Sequence, residues 1–546
     1  MATDTTTSTT DTEKSTPTTE LDGIVENLSM GNTSESNDRD YITGLKLFLV
    51  LGSLTLVVFL VLLDITILGT AIPEITTEFN SLADAGWYIG AYQLASATLQ
   101  LISGKLYTYF NNKYTFLVYF AFFELGSLIC AVANSSSLFI GGRAIAGLGS
   151  AGIINGGMTI ISGAVPLIKR PLYTGILLGT AQMGFYLNLP AGGAAAILLF
   201  FVQIPELTKK ERFSLALVRQ IIPELDLIGF VIFVPSSLMF LLALQFGSAG
   251  TYAWSSSQII GLFVGAGVLA LVFFVWEHNQ GDKAMLLGNL LRQRTVWASC
   301  AFGTCLVCCV SIATNWLPTY FQAVKGEGPT MSGVYLLPSI ISQLIFVVIS
   351  GAGTARLGYY LPFALFSGVT TTVGNGLVST FSAGTSSAQW IGYQVLMGIG
   401  RGAGMQMAFV AIQTAIPTST IPIGMACVIF FQNFGTSVAV VISNTIFTQA
   451  LTSTIPRYAP SVSPHAALSA GSSAEAVRML VPAGRPDELN GILRAYSESL
   501  RNVFYFLVGL AACATAFSLG MGWKNVGKKK KQEEEKAAEL GKAEET

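Results

Sequence analysis

Apolar residues in this chain come in long unbroken runs, not in the alternating or 3.6-residue patterns of water-soluble elements. A helix crossing a hydrocarbon layer needs about 20 predominantly apolar residues. Twelve runs come close to or meet that length: Leu45–Ala71, Ala85–Ser103, Phe116–Val132, Leu138–Val165, Leu227–Gly247, Ile259–Trp276, Val296–Tyr320, Met331–Ser350, Leu361–Phe381, Trp390–Ile412, Ile423–Phe447 and Val503–Trp523. One further stretch, Leu172–Gln203, is ambiguous, with Asn188 and Pro190 breaking its middle. Two crossings need about 40 residues plus a turn, so the limbs on either side of that break are short for spans. The pattern predicts an all-α polytopic membrane protein with about 13 spans, its fifth-span region truncated near residue 184.

The polar positions between the runs set the orientation. Lys105 and Lys113 follow the second run, Lys169 and Arg170 the fourth, and Lys209, Lys210, Arg212 and Arg219 the ambiguous stretch. Lys283, Arg292 and Arg294 follow the next pair, and Arg356 the pair after that. The intervening turns Glu74–Asp84, Asn134–Ser137 and Ser248–Ser257 contain no Lys or Arg. Basic loops stay on the cytoplasmic side, which puts both termini there. The organisation expected is a disordered tail (1–43), an N-terminal helix bundle (44–203), a linker with two inserted helices (204–290), and a C-terminal bundle (291–447). A long exterior loop (448–501), a last span (502–523) and a charged tail (524–546) complete it. In the loop, amphipathic pieces near Ala474–Leu480 and Glu488–Leu500 read as helices lying on the exterior surface. The sequon at Asn134 hugs the membrane and reads as unused.

Composition agrees. Half the chain is apolar (51%) and only 11% is charged, against about 25% in soluble domains. Eleven charges fall in residues 1–43 and thirteen in 524–546, leaving the middle nearly bare. A net charge of −1 excludes nucleic acid as a partner, since phosphate binding needs a clustered basic excess. The two histidines lie in predicted loops, and no nucleophile elbow, zinc-protease or Walker sequence occurs. No enzyme, cofactor or metal is therefore expected, and any pumping draws on an ion gradient. Cys300, Cys305, Cys308 and Cys309 share one apolar run with no histidine or carboxylate beside them, and read as small packing residues.

The informative residues are polar ones inside spans. A charge in hydrocarbon costs at least about 2.5–3.5 kcal/mol unless it is paired or faces a cavity. Asp64 ends the first span, Glu124 lies within the third, Arg143 early in the fourth and Arg401 midway through a glycine-rich later one. A carboxylate beside a cation can change protonation as its hydration changes, which makes Arg143, Glu124 and Asp64 candidates for proton coupling; static helix-locking pairs are the alternative, stronger for Asp64. Gln93, Gln100, Asn155, Arg401, Gln406, Gln432 and Asn433 supply hydrogen-bonding groups for a central cavity, with Tyr92, Trp316 and Phe434 as apolar walls. Such a cavity suits a small amphipathic organic compound. The 56 glycines cluster where close helix contact is needed in lipid.

Several tags in order give a family resemblance. They are Leu63-Asp64-Ile65-Thr66-Ile67 with Pro73, Gly104-Lys105-Leu106-Tyr107-Thr108, Gly142-Arg143-Ala144-Ile145-Ala146-Gly147-Leu148-Gly149, and Phe185-Tyr186-Leu187-Asn188-Leu189-Pro190 with Gly192-Gly193. Ser332-Gly333, Leu337-Pro338, Gly358-Tyr359-Tyr360 and Trp390–Gln394 leading into Gly398–Gln406 follow. Over about residues 45–523 the chain resembles the major facilitator superfamily, and within it the fourteen-span drug:proton antiporters, especially fungal efflux pumps for toxins and secondary metabolites. The resemblance implies the major facilitator fold: two six-helix bundles around a central site, with extra helices inserted between them. It implies a monomer that exports an organic compound against protons, in the plasma membrane or else the vacuolar membrane. Arg143 matches the family's fourth-span arginine, implicated in proton coupling, and Asp64 its first-span aspartate. Gly104, Lys105 and Lys113 match its gating loop, which normally also carries an acidic residue and more basic ones. The fifth-span antiporter motif is absent: Gly179–Gly184 runs directly into Phe185. That gap leaves open a facilitator or siderophore-type carrier of the same superfamily, or a non-transporting relative.

Overall fold

In hydrocarbon every backbone N–H and C=O must be satisfied within its own segment, so long apolar runs become long helices. The computed structural model describes residues 44–79, 85–180, 225–248, 252–281, 284, 288–471, 473–481 and 488–526. The first four spans are α1 (Gly44–Glu78), α2 (Ala85–Tyr109), α3 (Asn112–Ala131) and α4 (Ser136–Ala164). α5 (Arg170–Thr180) opens the ambiguous stretch; the rest of that stretch, and with it the expected truncation, lies outside the described residues. α6 (Leu227–Ser248) and α7 (Ser257–Gln280) are the inserted pair. After the single turn α8 (Gly288–Leu291) comes α9 (Arg294–Thr319), which runs into a π-turn at Tyr320–Val324. Then follow α10 (Pro329–Val334), α11 (Leu337–Leu357), α12 (Leu361–Val378), α13 (Ser387–Gly404) and α14 (Met407–Ala415). The last long helices are α15 (Ile421–Tyr458) and α18 (Glu488–Gly520), with the short α16 (Pro464–Ala470) and α17 (Ala474–Met479) between them.

All twelve expected runs are helical, and among the described residues eleven helical segments are long and apolar enough to span a bilayer. α2 is the one not counted among them. It has the length, 25 residues, but Gln93, Ser96, Thr98, Gln100, Ser103 and Lys105 dilute its apolar character. Two runs read as continuous are broken. The eighth is divided between α10 and α11 at Tyr335–Leu336, and the tenth between α13 and α14 at Met405–Gln406. α15 and α18 both extend into the segment read as a long loop. Within it, Val477 of α17 is buried in a cluster with Ala467 and Tyr496, whose hydroxyl donates to Ala467 O at 2.7 Å.

In α3 and α4 small residues set the helix spacing. A Cβ at Gly126 would strike the Ala146 backbone, and one at Gly149 would lie 2.6 Å from Tyr119 O. Gly398 and Gly402 of α13 meet the α11 backbone at Ser339 and Gln343, while Gly400 and Gly404 meet Thr371 and Ser367 of α12. Association in lipid depends on this close packing, so Gly149→Val should force α3 from α4 and cost roughly 1–3 kcal/mol. A lower melting temperature of the purified protein is the expected result. Gly141→Val, at a position with open space around it, is the control that should leave melting unchanged.

The inserted pair packs on itself through Phe233–Phe273 at 5.2 Å and a Ser236 Oγ bond to Ala266 O at 2.9 Å. It also touches both halves of the protein. Trp87 of α2 meets Phe246 of α6 at 6.0 Å, and α15 meets α6 through Phe240–Phe434 at 5.4 Å and Phe233–Phe430 at 5.5 Å.

Candidate functional site

Arg143 stands early in α4, on the buried face. Its Nη1 donates to Asp64 Oδ2 of α1 at 2.6 Å, and its Nε to the Tyr88 carbonyl of α2 at 3.0 Å. The guanidinium also lies 4.4 Å from the centroid of the Tyr92 ring, a cation–π contact. Tyr88 is held in turn by its hydroxyl, which donates to Ser136 Oγ at 3.0 Å. One side chain thus ties three helices together. The two charges differ in access: the Arg143 side chain is 4% exposed and that of Asp64 23%. The pair therefore has a buried cation and a partly exposed carboxylate.

Space between the halves is distributed unequally along them. At the end bearing Lys105, Arg170 and Arg356, the halves are pressed together along two seams. Along the first, a Cβ at Gly104 of α2 would lie 2.9 Å from Ile423 Cα and 3.0 Å from Pro422 O of α15. Along the second, a Cβ at Gly351 of α11 would lie 2.8 Å from Pro171 O and 3.0 Å from Leu172 Cα of α5. Residues 155–162 of α4 and 421–430 of α15 are buried throughout. Toward the opposite end burial relaxes: residues 433–438 of α15 are half-buried, and Thr314 and Asn315 of α9 are exposed. The described state is closed at the basic end.

The other expected site residues divide by these seams. Gln406, fully buried in the α13–α14 break, donates from Nε2 to Val347 O at 2.9 Å, and its Oε1 abuts Gly175 of α5. It belongs to the seam between halves. Asn155 donates to Ser103 Oγ at 3.0 Å, inside the N-terminal half. Gln432 is buried beside Gly303 of α9, and Gln100 is buried in α2. Trp316 Nε1 donates to Ser443 Oγ at 2.9 Å while its ring lies 4.5 Å from that of Phe447, joining α9 to α15. Gln93 and Asn433 are half-buried. Phe434 packs on the inserted helix α6. Lys105 is buried at the first seam and Lys113 is half-buried. Cys309 Sγ donates to Leu507 O at 3.6 Å. Arg401, at the middle of the α13–α14 span, is 3% exposed.

Glu124 departs from expectation. It makes no contact with the Arg143–Asp64 pair and lies on the exposed face of α3 beside Phe122, Leu125 and Leu128. An acidic residue in an apolar run reads as turned inward; here the inward face of α3 is taken by Tyr119, Phe120, Phe123 and Gly126. Missed altogether is a second backbone clasp. Gln394 Nε2 donates to the Tyr335 carbonyl at 2.9 Å, as Arg143 Nε does to Tyr88. A signal exists: Arg143 stands four residues before Gly147-Leu148-Gly149, and Gln394 four before Gly398-Ile399-Gly400. The two halves repeat the clasp, but only the first carries charge.

Long apolar helices in a polytopic array, with a buried ion pair joining three of them, are the architecture of a membrane transporter. Residues 54–202 match the Major Facilitator Superfamily domain. The chain is 51% identical over 536 residues to the MFS-type transporter calB of Penicillium decumbens, covering 94% of this chain and 95% of that one. It is 41% identical to the efflux pump mlcE of Penicillium citrinum, covering 92% and 95%. It is also 42% identical to the efflux pump mokI of Monascus pilosus, covering 88% and 92%. This chain belongs to the major facilitator superfamily. Its fold is similar to that of the proton:xylose symporter XylE, with a TM-score of 0.53 at 12% identity over 88% of this chain and 96% of that one.

Proposed function

We propose that this transporter exports a small amphipathic organic compound across the fungal plasma membrane in exchange for protons, acting as a monomer with both termini in the cytoplasm. The observation that carries the reading is the Arg143–Asp64 pair: a buried guanidinium whose carboxylate partner is partly exposed. With the basic end taken as cytoplasmic, the closed seams face the cell interior, and Asp64 lies toward the open, exterior side. A proton arriving on Asp64 removes its charge and reduces the ion pair to a neutral hydrogen bond, with the Tyr88 carbonyl and the Tyr92 ring as the other partners of Arg143. The link from α1 to α4 then weakens, which frees the halves to rearrange. Release of that proton on the inner side re-forms the pair, so each cycle carries a proton in as cargo goes out. Arg143 never changes charge, since a guanidinium stays protonated in proteins; Asp64 is the group that switches. The efflux pumps among the relatives support the direction of transport.

The test is flux in inside-out vesicles of the fungal membrane, with and without an imposed pH gradient. Uptake that collapses when the gradient is dissipated supports antiport; uptake indifferent to it rules antiport out. Asp64→Asn should leave substrate exchange running while making it insensitive to the gradient, because the amide keeps a hydrogen bond to Arg143 but takes up no proton.

A further inference from the structure

The least compensated charge among the described residues lies outside the Arg143 site. Arg401 is 3% exposed, and its Nε and Nη2 have no hydrogen-bond partner among the described residues. No carboxylate pairs with it there, and a guanidinium cannot shed its charge. An uncompensated buried ion costs several kcal/mol, so its persistence calls for an anion at some stage of the protein's working cycle. The two idle nitrogens are those of the side-on fork of the guanidinium, the geometry that grips both oxygens of a carboxylate.

The neighbouring helix α12 is itself polar on its buried face. Ser367, Thr371 and Asn375 lie one turn apart on the buried face of α12, and Ser367 Oγ, Thr371 Oγ1 and Asn375 Oδ1 are likewise without partners. That face packs on Gly400 and Gly404, the residues around Arg401. Cys309 of α9 is within electrostatic reach of the guanidinium. Arg401 also precedes the α13–α14 break by only a few residues and sits at the middle of its span, and transporter sites favour broken helices near the bilayer midplane.

We propose that Arg401 anchors the carboxylate of an acidic amphipathic cargo. The proposal rests on the transport reading and narrows it from an organic compound to an organic acid. The test is binding to the purified full-length protein, followed by thermal melting, with 4-phenylbutyrate as probe and its methyl ester as the uncharged match. Wild type should respond to the acid at a concentration at least about ten-fold lower than to the ester, a difference near 1.4 kcal/mol. Arg401→Met should lose that preference, and Arg401→Lys, which keeps the charge without the fork, should retain part of it. An equal response to acid and ester, no response to either, or a preference that survives Arg401→Met overturns the proposal. Chloride at matched ionic strength is the further arm; if it matches the acid, the fork serves an inorganic anion and the cargo assignment fails. Vesicle flux is read separately. Absent flux with the acid preference intact sinks the export reading alone, and gradient-driven flux without that preference sinks only the carboxylate anchor.

Discussion

Replacing Arg143 with alanine is expected to abolish export while leaving the protein folded and in the membrane. The substitution removes the ion pair to Asp64, the bond to the Tyr88 carbonyl and the cation over Tyr92 in one step. Removing one partner of a buried pair typically costs about 3–5 kcal/mol, which corresponds to a factor of about 100 or more in any equilibrium that depends on it. The helices remain seated through their glycine seams, so the loss falls on switching between states. Arg143→Lys separates charge from geometry: a lysine reaches Asp64 or the Tyr88 carbonyl but lacks the fork that serves both, and its flux should fall between wild type and alanine. The measurement is vesicle flux normalised to protein in the membrane fraction. Export at the wild-type level in the alanine variant would remove Arg143 from the mechanism.

The second large effect is expected at Gly351. A leucine there would meet Pro171 O and Leu172 of α5 and the amide nitrogen of Gln406, all at 2.8–3.0 Å from the new Cβ. Backbone atoms cannot swing aside as a flexible side chain can, so α11 must separate from α5 and the closed seam is lost. A carrier needs every state of its cycle, and Gly351→Leu should lower export at least about ten-fold; overpacking of this kind costs roughly 1–3 kcal/mol. Accessibility shows whether the seam is the cause. Ala426, buried against Gly104 at the other seam, is replaced by cysteine in a background where the seven native cysteines are serine. An impermeant maleimide applied from the basic side should label that cysteine in the Gly351→Leu variant and spare it in its absence. Equal labelling in both would show that the seam does not close this end.

The spans are legible because their signal is local: each long helix is an apolar run of sufficient length. α2 shows the limit, since the polar residues that lower its hydropathy are the ones its neighbours bury. Asp64 and Arg143 can each be singled out by the cost of placing charge at depth, but not as partners. They are 79 residues apart, and only the packing of α1, α2 and α4 joins them. Glu124 shows the converse error, because hydropathy registers that a carboxylate lies within a span and carries no information on which face it occupies. Gln406 reads as a cavity group and lies instead in the seam between halves, where a buried amide serves the backbone of Val347. The Gln394 clasp is encoded in a repeated spacing that becomes meaningful only once both carbonyls, of Tyr88 and Tyr335, are located.

The inserted pair has a mechanical consequence. α6 rests on α2 through Trp87 and on α15 through Phe430 and Phe434, so it bridges one flank of the molecule like the spine of a book. The flank where α5 meets α11 has no such binding among the described residues. A swing of one half past the other must slide aromatic rings across α6 on the bound side, whereas the free side need only part the contact of Gly175 and Gly351 with the Gln406 amide and the α5 backbone. The covers of this book turn about their spine, and the pages open widest at the edge that Gly175 and Gly351 now hold shut.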